Sequence, residues 1–166
     1  MQGMVIYKSK YGSTKQYAEW IAEETKLPLK DIKEVSQSDF KSGETVIICS
    51  YIHTGLVVVR KWITKNWKIL KNKNIFLLSV SGTPPEEKKY IDGFFEKSFP
   101  ADMREKIKYY PVRGKYIFKN MSYFDKKLIP VFARFRKDKV LKEGMLTESF
   151  KISKNNIEKL LNDLQK

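Results

Sequence analysis

Cys49 is the only cysteine and His53 the only histidine in a chain of 166 residues. That scarcity excludes an intramolecular disulfide and a Cys/His zinc cluster. Cys49 closes an apolar run and reads as a small core residue. Long hydrophobic runs are missing too: none approaches the roughly 20 residues that span a bilayer. Met1-Gln2-Gly3 leads directly into a short apolar segment with no signal peptide, so the expectation is a cytoplasmic protein. Internal repeats and low-complexity linkers are absent, and residues 1–166 are expected to form a single domain. Acid is the other shortage, with 19 Asp and Glu against 33 Lys and Arg, for a formal charge of +14. Such a field attracts nucleic acid, an anionic membrane surface, an acidic protein or an anionic substrate, unless it is only a solvated, Lys-rich surface.

What is present is organised around Ser9-Lys10-Tyr11-Gly12-Ser13-Thr14. This loop lies between the apolar run Met4-Val5-Ile6-Tyr7, which predicts a buried strand, and Tyr17-Ala18-Ile21-Ala22, whose spacing predicts a helix. Ser13 followed by Gln16 predicts a capping box. The helix's free N–H groups and positive dipole end then face the loop and favour an anion. The hydroxyls of Ser9, Tyr11, Ser13 and Thr14 can add donors, and Gly12 lets the backbone bend around a phosphate. With Gly12 as its only glycine, the loop matches neither Gly-x-Gly-x-x-Gly nor Gly-x-x-x-x-Gly-Lys-Ser/Thr.

Further on, Asp31–Val35 predicts a short edge strand, and Val46-Ile47-Ile48-Cys49-Ser50 and Ile75-Phe76-Leu77-Leu78-Ser79 predict central strands apolar on both faces. Leu56, Val59, Ile63 and Trp67 have helical spacing. Pro84-Pro85 are expected in the first turn of a helix carrying Ile91, Phe94, Phe95 and Phe99. Ile107–Val112 predicts a fifth strand, and Ile157, Leu160, Leu161 and Leu164 lie on a last helix from about Lys154. Strands alternating with helices predict an α/β fold: a doubly wound, five-stranded parallel sheet of order 2-1-3-4-5 within three α/β/α layers. In that order, Ser9–Thr14, Ser50–Gly55 and Ser79–Thr83 meet at the carboxyl ends of the strands, where ligands of such sheets collect.

Ser9, Gly12 and Thr14 match the flavodoxin phosphate loop Ser/Thr-x-Thr-Gly-x-Thr, with Tyr11 where Thr is usual. Over essentially its whole length the chain resembles the flavodoxin-like family. Within it, the chain is similar to the flavodoxin-like protoporphyrinogen oxidase branch (menaquinone-dependent protoporphyrinogen IX dehydrogenase) and to uncharacterised bacterial flavodoxins. Tyr51-Ile52 with Gly55, and Ser79-Val80-Ser81-Gly82, look like the second and third loops of that branch. The resemblance implies FMN as cofactor. Its phosphate would lie in Ser9, Lys10, Tyr11, Gly12, Ser13 and Thr14, and its ring between Ser50, Tyr51, Ile52, His53 and Gly55 on one side and Ser79, Val80, Ser81 and Gly82 on the other. No catalytic side chain is required, since the chemistry would be the flavin's. His53 is either a solvated loop residue or a contact to reduced flavin or substrate. Trp20, Trp62 and Trp67 fall at helical positions and are expected to pack.

The segment at about 113–150 resembles the extra segment of that branch. From Arg113 to Lys142 it holds ten Lys or Arg against Asp125 and Asp138, a local excess of eight and more than half of the net +14. Ser122 and Asp125 predict a capping box, Phe124, Leu128, Ile129, Phe132 and Phe135 an apolar stripe, and Pro130 a kink or interruption. A basic amphipathic helix of this kind lies on an anionic membrane, binds an acidic partner, attracts a carboxylated substrate, or docks on its own domain. Three functions follow. The first is an FMN-dependent oxidoreductase of a small molecule such as porphyrinogen or a quinone. The second is an electron-carrier flavodoxin for protein redox partners. The third is a non-redox nucleic-acid-binding domain, disfavoured because neither base-stacking aromatics nor a nucleic-acid signature is present.

Overall fold

The computed structural model describes residues 2–41, 43–115, 123–134 and 152–165. Its element order is β1 (Gly3–Tyr7), α1 (Ser13–Thr25), β2 (Leu29–Asp31), β3 (Thr45–His53), β4 (Leu56–Val57), α2 (Arg60–Lys65), α3 (Trp67–Leu70), β5 (Asn74–Ser81), α4 (Lys88–Ser98), α5 (Ala101–Lys106), β6 (Ile107–Arg113), α6 (Tyr123–Arg134) and a last helix, α7 (Glu158–Leu164). The strands run β2-β1-β3-β5-β6, every neighbouring pair parallel, with β4 antiparallel to the end of β3. Counting the five parallel strands in chain order, this is the expected 2-1-3-4-5. β4 is an added sixth strand.

Both faces of the sheet are covered, so the central strands are buried on both sides and carry no polar face. On one face Val5, Ile47, Cys49, Leu78 and Val112 pack with Tyr17, Ala18 and Ile21 of α1 and with Ile157 and Leu160 at the chain's end. On the other, Ile6, Ile48 and Leu77 pack with Ile63, Leu70 and Met103 of the helices that follow β4 and β5, and with Val59 and Phe99 at the ends of α2 and α4. Each such fully buried aliphatic side chain contributes about 1.5–3 kcal/mol. Cys49 lies in this core as expected, and burial pushes its thiol pKa up. Trp20 packs edge-on against Tyr17 and Trp62 against Phe40, so these tryptophans are packing residues.

Several expected boundaries are corrected. β2 is Leu29–Asp31, not Asp31–Val35: Asp31 ends it by closing a turn, its carboxylate accepting from Lys33 N–H at 3.0 Å and its carbonyl from Glu34 N–H at 2.9 Å. Leu56 belongs to β4, and the expected helix is split at Asn66, whose side-chain amide donates to Trp62 O at 2.9 Å. Pro84-Pro85 lie outside the helix, which begins at Lys88. α5 had no periodic signal in its six residues. The last helix opens with a 3-10 turn over Lys154–Ile157, capped by Ser153. α6 begins at Tyr123 and runs through Pro130 without ending there. Ser122, Phe135 and most of the remaining basic segment lie outside the described residues. Among the described residues, no helix is long and apolar enough to cross a membrane.

Candidate functional site

The order reverses at β1 and β3, because β1 leads through α1 to β2 on one side while β3 leads to β5 on the other. The carboxyl ends of β1, β3 and β5 are therefore neighbours, in the register Tyr7↔Cys49 and Tyr51↔Val80. Lys8 N–H donates to Cys49 O at 2.9 Å and carries the β1–β3 ladder one residue into the first loop.

In that loop Gly12 has φ +92°, a conformation that side chains resist, and a Cβ placed on it would meet nothing within 4 Å. Gly12 is the N-cap of α1 and offers no side-chain cap, and no acid lies in the first turn. Its N–H donates to Ser9 Oγ at 3.1 Å, which holds the loop closed and leaves the Ser9 hydroxyl hydrogen available to a ligand. Lys8, Lys10 and Lys15 lie close to this helix end in sequence, with Lys10 Nζ 5.2 Å from the Tyr11 ring and Lys15 Nζ 3.7 Å from Glu19 Oε1. The result is an open, positively polarised helix N-terminus suited to a phosphate.

The expected capping box is not formed. Ser13 Oγ instead accepts from Lys115 N–H at 3.0 Å and donates to Lys115 O at 3.2 Å, binding a strand end 102 residues away. Ser13 is thus spent on structure, while Thr14 is buried beside it. Ser13→Ala removes both bonds to Lys115 and is expected to cost about 1–3 kcal/mol, read as a lower urea midpoint.

The second stretch is not a loop. Ser50, Tyr51, Ile52 and His53 continue β3, and His53 pairs with Leu56 across the two-residue turn Thr54-Gly55. Thr54 at φ +50° and Gly55 at φ +78° are the two positive-φ positions that a right-twisted hairpin turn demands. Strand alternation sends Tyr51 to the α1 face and Ile52 to the opposite one. Ser50 is fully buried, its hydroxyl donating to Tyr51 O at 3.3 Å.

Ser79, Val80 and Ser81 likewise lie within β5 and are buried, so only Gly82 and Thr83 of the third stretch stand in a loop. Ser79 Oγ donates to Tyr109 OH at 2.7 Å, and Tyr109 stacks on Phe95 with centroids 4.3 Å apart. Burial pushes the Tyr109 phenol up to about 12, which keeps it protonated and uncharged at neutral pH. Ser81 Oγ donates to Thr83 O at 2.9 Å. A Cβ at Gly82 would meet nothing within 4 Å, and its φ is one that any residue adopts.

Sequence reasoning missed the part of Arg113, Gly114 and Lys115. Tyr17 OH donates to Arg113 O at 2.7 Å and Gly114 N–H to Ser81 O at 2.9 Å, so the end of β6 ties the first stretch to the third. A Cβ on Gly114 would sit 2.8 Å from Val80 Cγ1, which accounts for glycine there. Arg113 Nε is buried without a hydrogen-bond partner among the described residues. No local pattern announces contacts across about a hundred residues. Among the described residues no cluster of three metal-ligating side chains occurs.

A family profile described as a flavodoxin domain (Flavodoxin_5) matches residues 4–141. Solved structures similar to the chain include a flavodoxin from the domain Archaea, 18% identical with a TM-score of 0.45, covering 71% of this chain and 87% of that one. The Trp repressor binding protein from Bacillus subtilis is 16% identical with a TM-score of 0.48, covering 68% and 84%. The flavodoxin of Streptococcus pneumonia TIGR4 is 17% identical with a TM-score of 0.41, covering 67% and 81%. No curated protein matches the sequence.

Proposed function

Because the chain belongs to the flavodoxin domain family, whose proteins bind flavin, we propose that it is an FMN-binding redox protein, and that residues 113–150 are an insert recognising its partner. The observation that carries this reading is the helix end at Gly12: open above the glycine, without acid in its first turn, and with Lys8, Lys10 and Lys15 close by in sequence. The donor set suits a phosphate dianion. Ser9, Tyr11, Thr14 and the first amides of α1 would hold the phosphate, with Ser13 fixing the helix end in place. Tyr51, Ile52, His53 and Gly55 would border the ring on one side, and Gly82, carried by Ser79–Ser81, on the other. The backbone does the recognising at Gly82, where no side chain intervenes. Bound FMN supplies one- and two-electron chemistry. The chain's task is to bind it, orient it and bring a partner to its exposed edge.

Within this reading, the enzyme-like branch acting on a porphyrinogen or quinone is favoured by the basic charge of +14 and the insert, since ordinary flavodoxins are acidic. A carrier serving protein partners is the second reading. The basic insert also suits peripheral contact with an anionic membrane.

The test is the visible spectrum of the purified protein, with the released flavin identified. Flavin absorption and FMN in the supernatant are expected, and Gly82→Val, whose β-branched side chain projects into the open space, is expected to weaken FMN about 10-fold or more with an unaltered circular dichroism spectrum. A colourless protein that takes up no added FMN overturns the proposal. Full FMN affinity in Gly82→Val displaces the ring from the third stretch.

A further inference from the structure

Arg113 is the last residue of β6, in register with Ser81 at the end of β5, one residue before the open position of Gly82. Val112 packs on the α1 face and Gly114 approaches Val80 on that same face, so alternation directs the Arg113 side chain to the opposite one, with Ser79, Ser81 and Tyr109. Its backbone is held on both sides by the bond from Tyr17 OH to Arg113 O at 2.7 Å and the bond from Gly114 N–H to Ser81 O at 2.9 Å. The buried Nε–H of its guanidinium has no acceptor among the described residues. An unmet buried donor on a charged group destabilises the fold unless something else supplies the acceptor. The nearby hydroxyls of Ser79 and Ser81 donate to Tyr109 OH and Thr83 O, and neither oxygen accepts from Nε. Burial keeps the Tyr109 phenol neutral. The charge of Asp92 on α4 acts in the same direction as burial, and only the bond from Ser79 opposes them.

We propose that Arg113 is a positioning residue for the flavin ring, donating from the carboxyl edge of β6 to the acceptor-bearing edge of bound FMN and favouring its reduced, negatively charged form over the oxidised, neutral one. This rests on the FMN reading above. Two electrons from a donor protein, or from dithionite in the test, together with one proton from solvent, leave a single negative charge on the ring. A fixed cation in a partly dehydrated setting stabilises that charge, and the neutral oxidised ring much less. The acceptor that Nε lacks is thereby supplied by the ligand. Arg113 sets how readily the site takes up electrons, and the loops set whether FMN binds.

The experiment compares wild type with Arg113→Gln and Arg113→Met, each loaded with FMN. It measures the dissociation constant of oxidised FMN and the midpoint potential in a dithionite titration against an indicator dye. In both variants the preference for reduced over oxidised FMN is expected to fall at least about 10-fold, equivalent to about 30 mV for a two-electron couple, while oxidised FMN loses less than half as much on a logarithmic scale. Arg113→Met fills the space of the stem and carries the test if Arg113→Gln does not fold; Arg113→Lys, which keeps the charge, is expected to recover part of the shift. Wild-type midpoints in the folded, FMN-loaded variants overturn this inference and leave the FMN reading standing. Unchanged midpoints with weakened binding of a dicarboxylate also overturn it, and assign Arg113 to a substrate carboxylate. A wild-type protein that binds no FMN removes both.

Discussion

Riboflavin is expected to bind this protein about 100-fold or more weakly than FMN, and Gly12→Val is expected to erase most of that difference. The phosphate is what riboflavin lacks, and among the described residues the N-terminus of α1 is a part of the site suited to a dianion. Each charge-assisted hydrogen bond is worth about 1.5–3 kcal/mol, so losing two of them reaches or exceeds a factor of 100. Gly12 concentrates that loss. Valine is strained at φ +92°, and its relaxation would turn the loop amides away from the position they share with the Ser9 hydroxyl. Thr14→Ala removes one hydroxyl and is expected to cost about 10-fold in FMN affinity, with riboflavin unaffected. Flavin fluorescence titrations with both ligands provide the measurement. Equal affinities in the wild type would make the loop an ordinary turn.

The second large effect concerns α6. Its exposed residues include Tyr123, 65% exposed, and Val131, 52% exposed, together with Lys127, Pro130 and Arg134. Lys127 Nζ stands 4.6 Å from the Tyr123 ring, so a cation and an aromatic share one face. If this face meets an anionic bilayer, as proposed, each Lys or Arg near the surface contributes about 1 kcal/mol, and Lys126→Gln, Lys127→Gln and Arg134→Gln together are expected to weaken binding to phosphatidylserine vesicles about 100-fold. FMN affinity should not change. Raising the salt should reproduce the effect in the wild type, because the Debye length shrinks from about 10 Å at 0.1 M to about 3 Å at 1 M. Cosedimentation with vesicles across a salt series reads both outcomes. Unaltered vesicle binding in the triple variant removes the membrane role. Loss of reaction with an acidic redox protein, but not of vesicle binding, would assign the face to that protein.

The extended runs Val46–Cys49 and Ile75–Leu78 are apolar on both faces and need cover on both, which is why the sheet and its strand order were legible in the amino-acid sequence. The phosphate-type loop was legible for the same kind of reason. A strand, a lone glycine and a helix stripe are all local patterns, and the helix dipole needs nothing more distant to act. The tertiary structure decided how the hydroxyls are used. Ser13 has the sequence of a cap, yet Lys115 offers a donor and an acceptor together, and the hydroxyl satisfies both instead of a single helix amide. Ser50–His53 and Ser79–Ser81 have the composition of loops, yet ladders with neighbouring strands extend through them, because pairing partners are present at the same height. Arg113 could not be connected to the site from sequence at all. Only closure of the fold brings the end of β6 across to Tyr17 and Ser81 and buries a guanidinium nitrogen there. Periodicity encodes which faces are buried, whereas the pairing of one polar group with another about a hundred residues away depends on where the folded backbone places both.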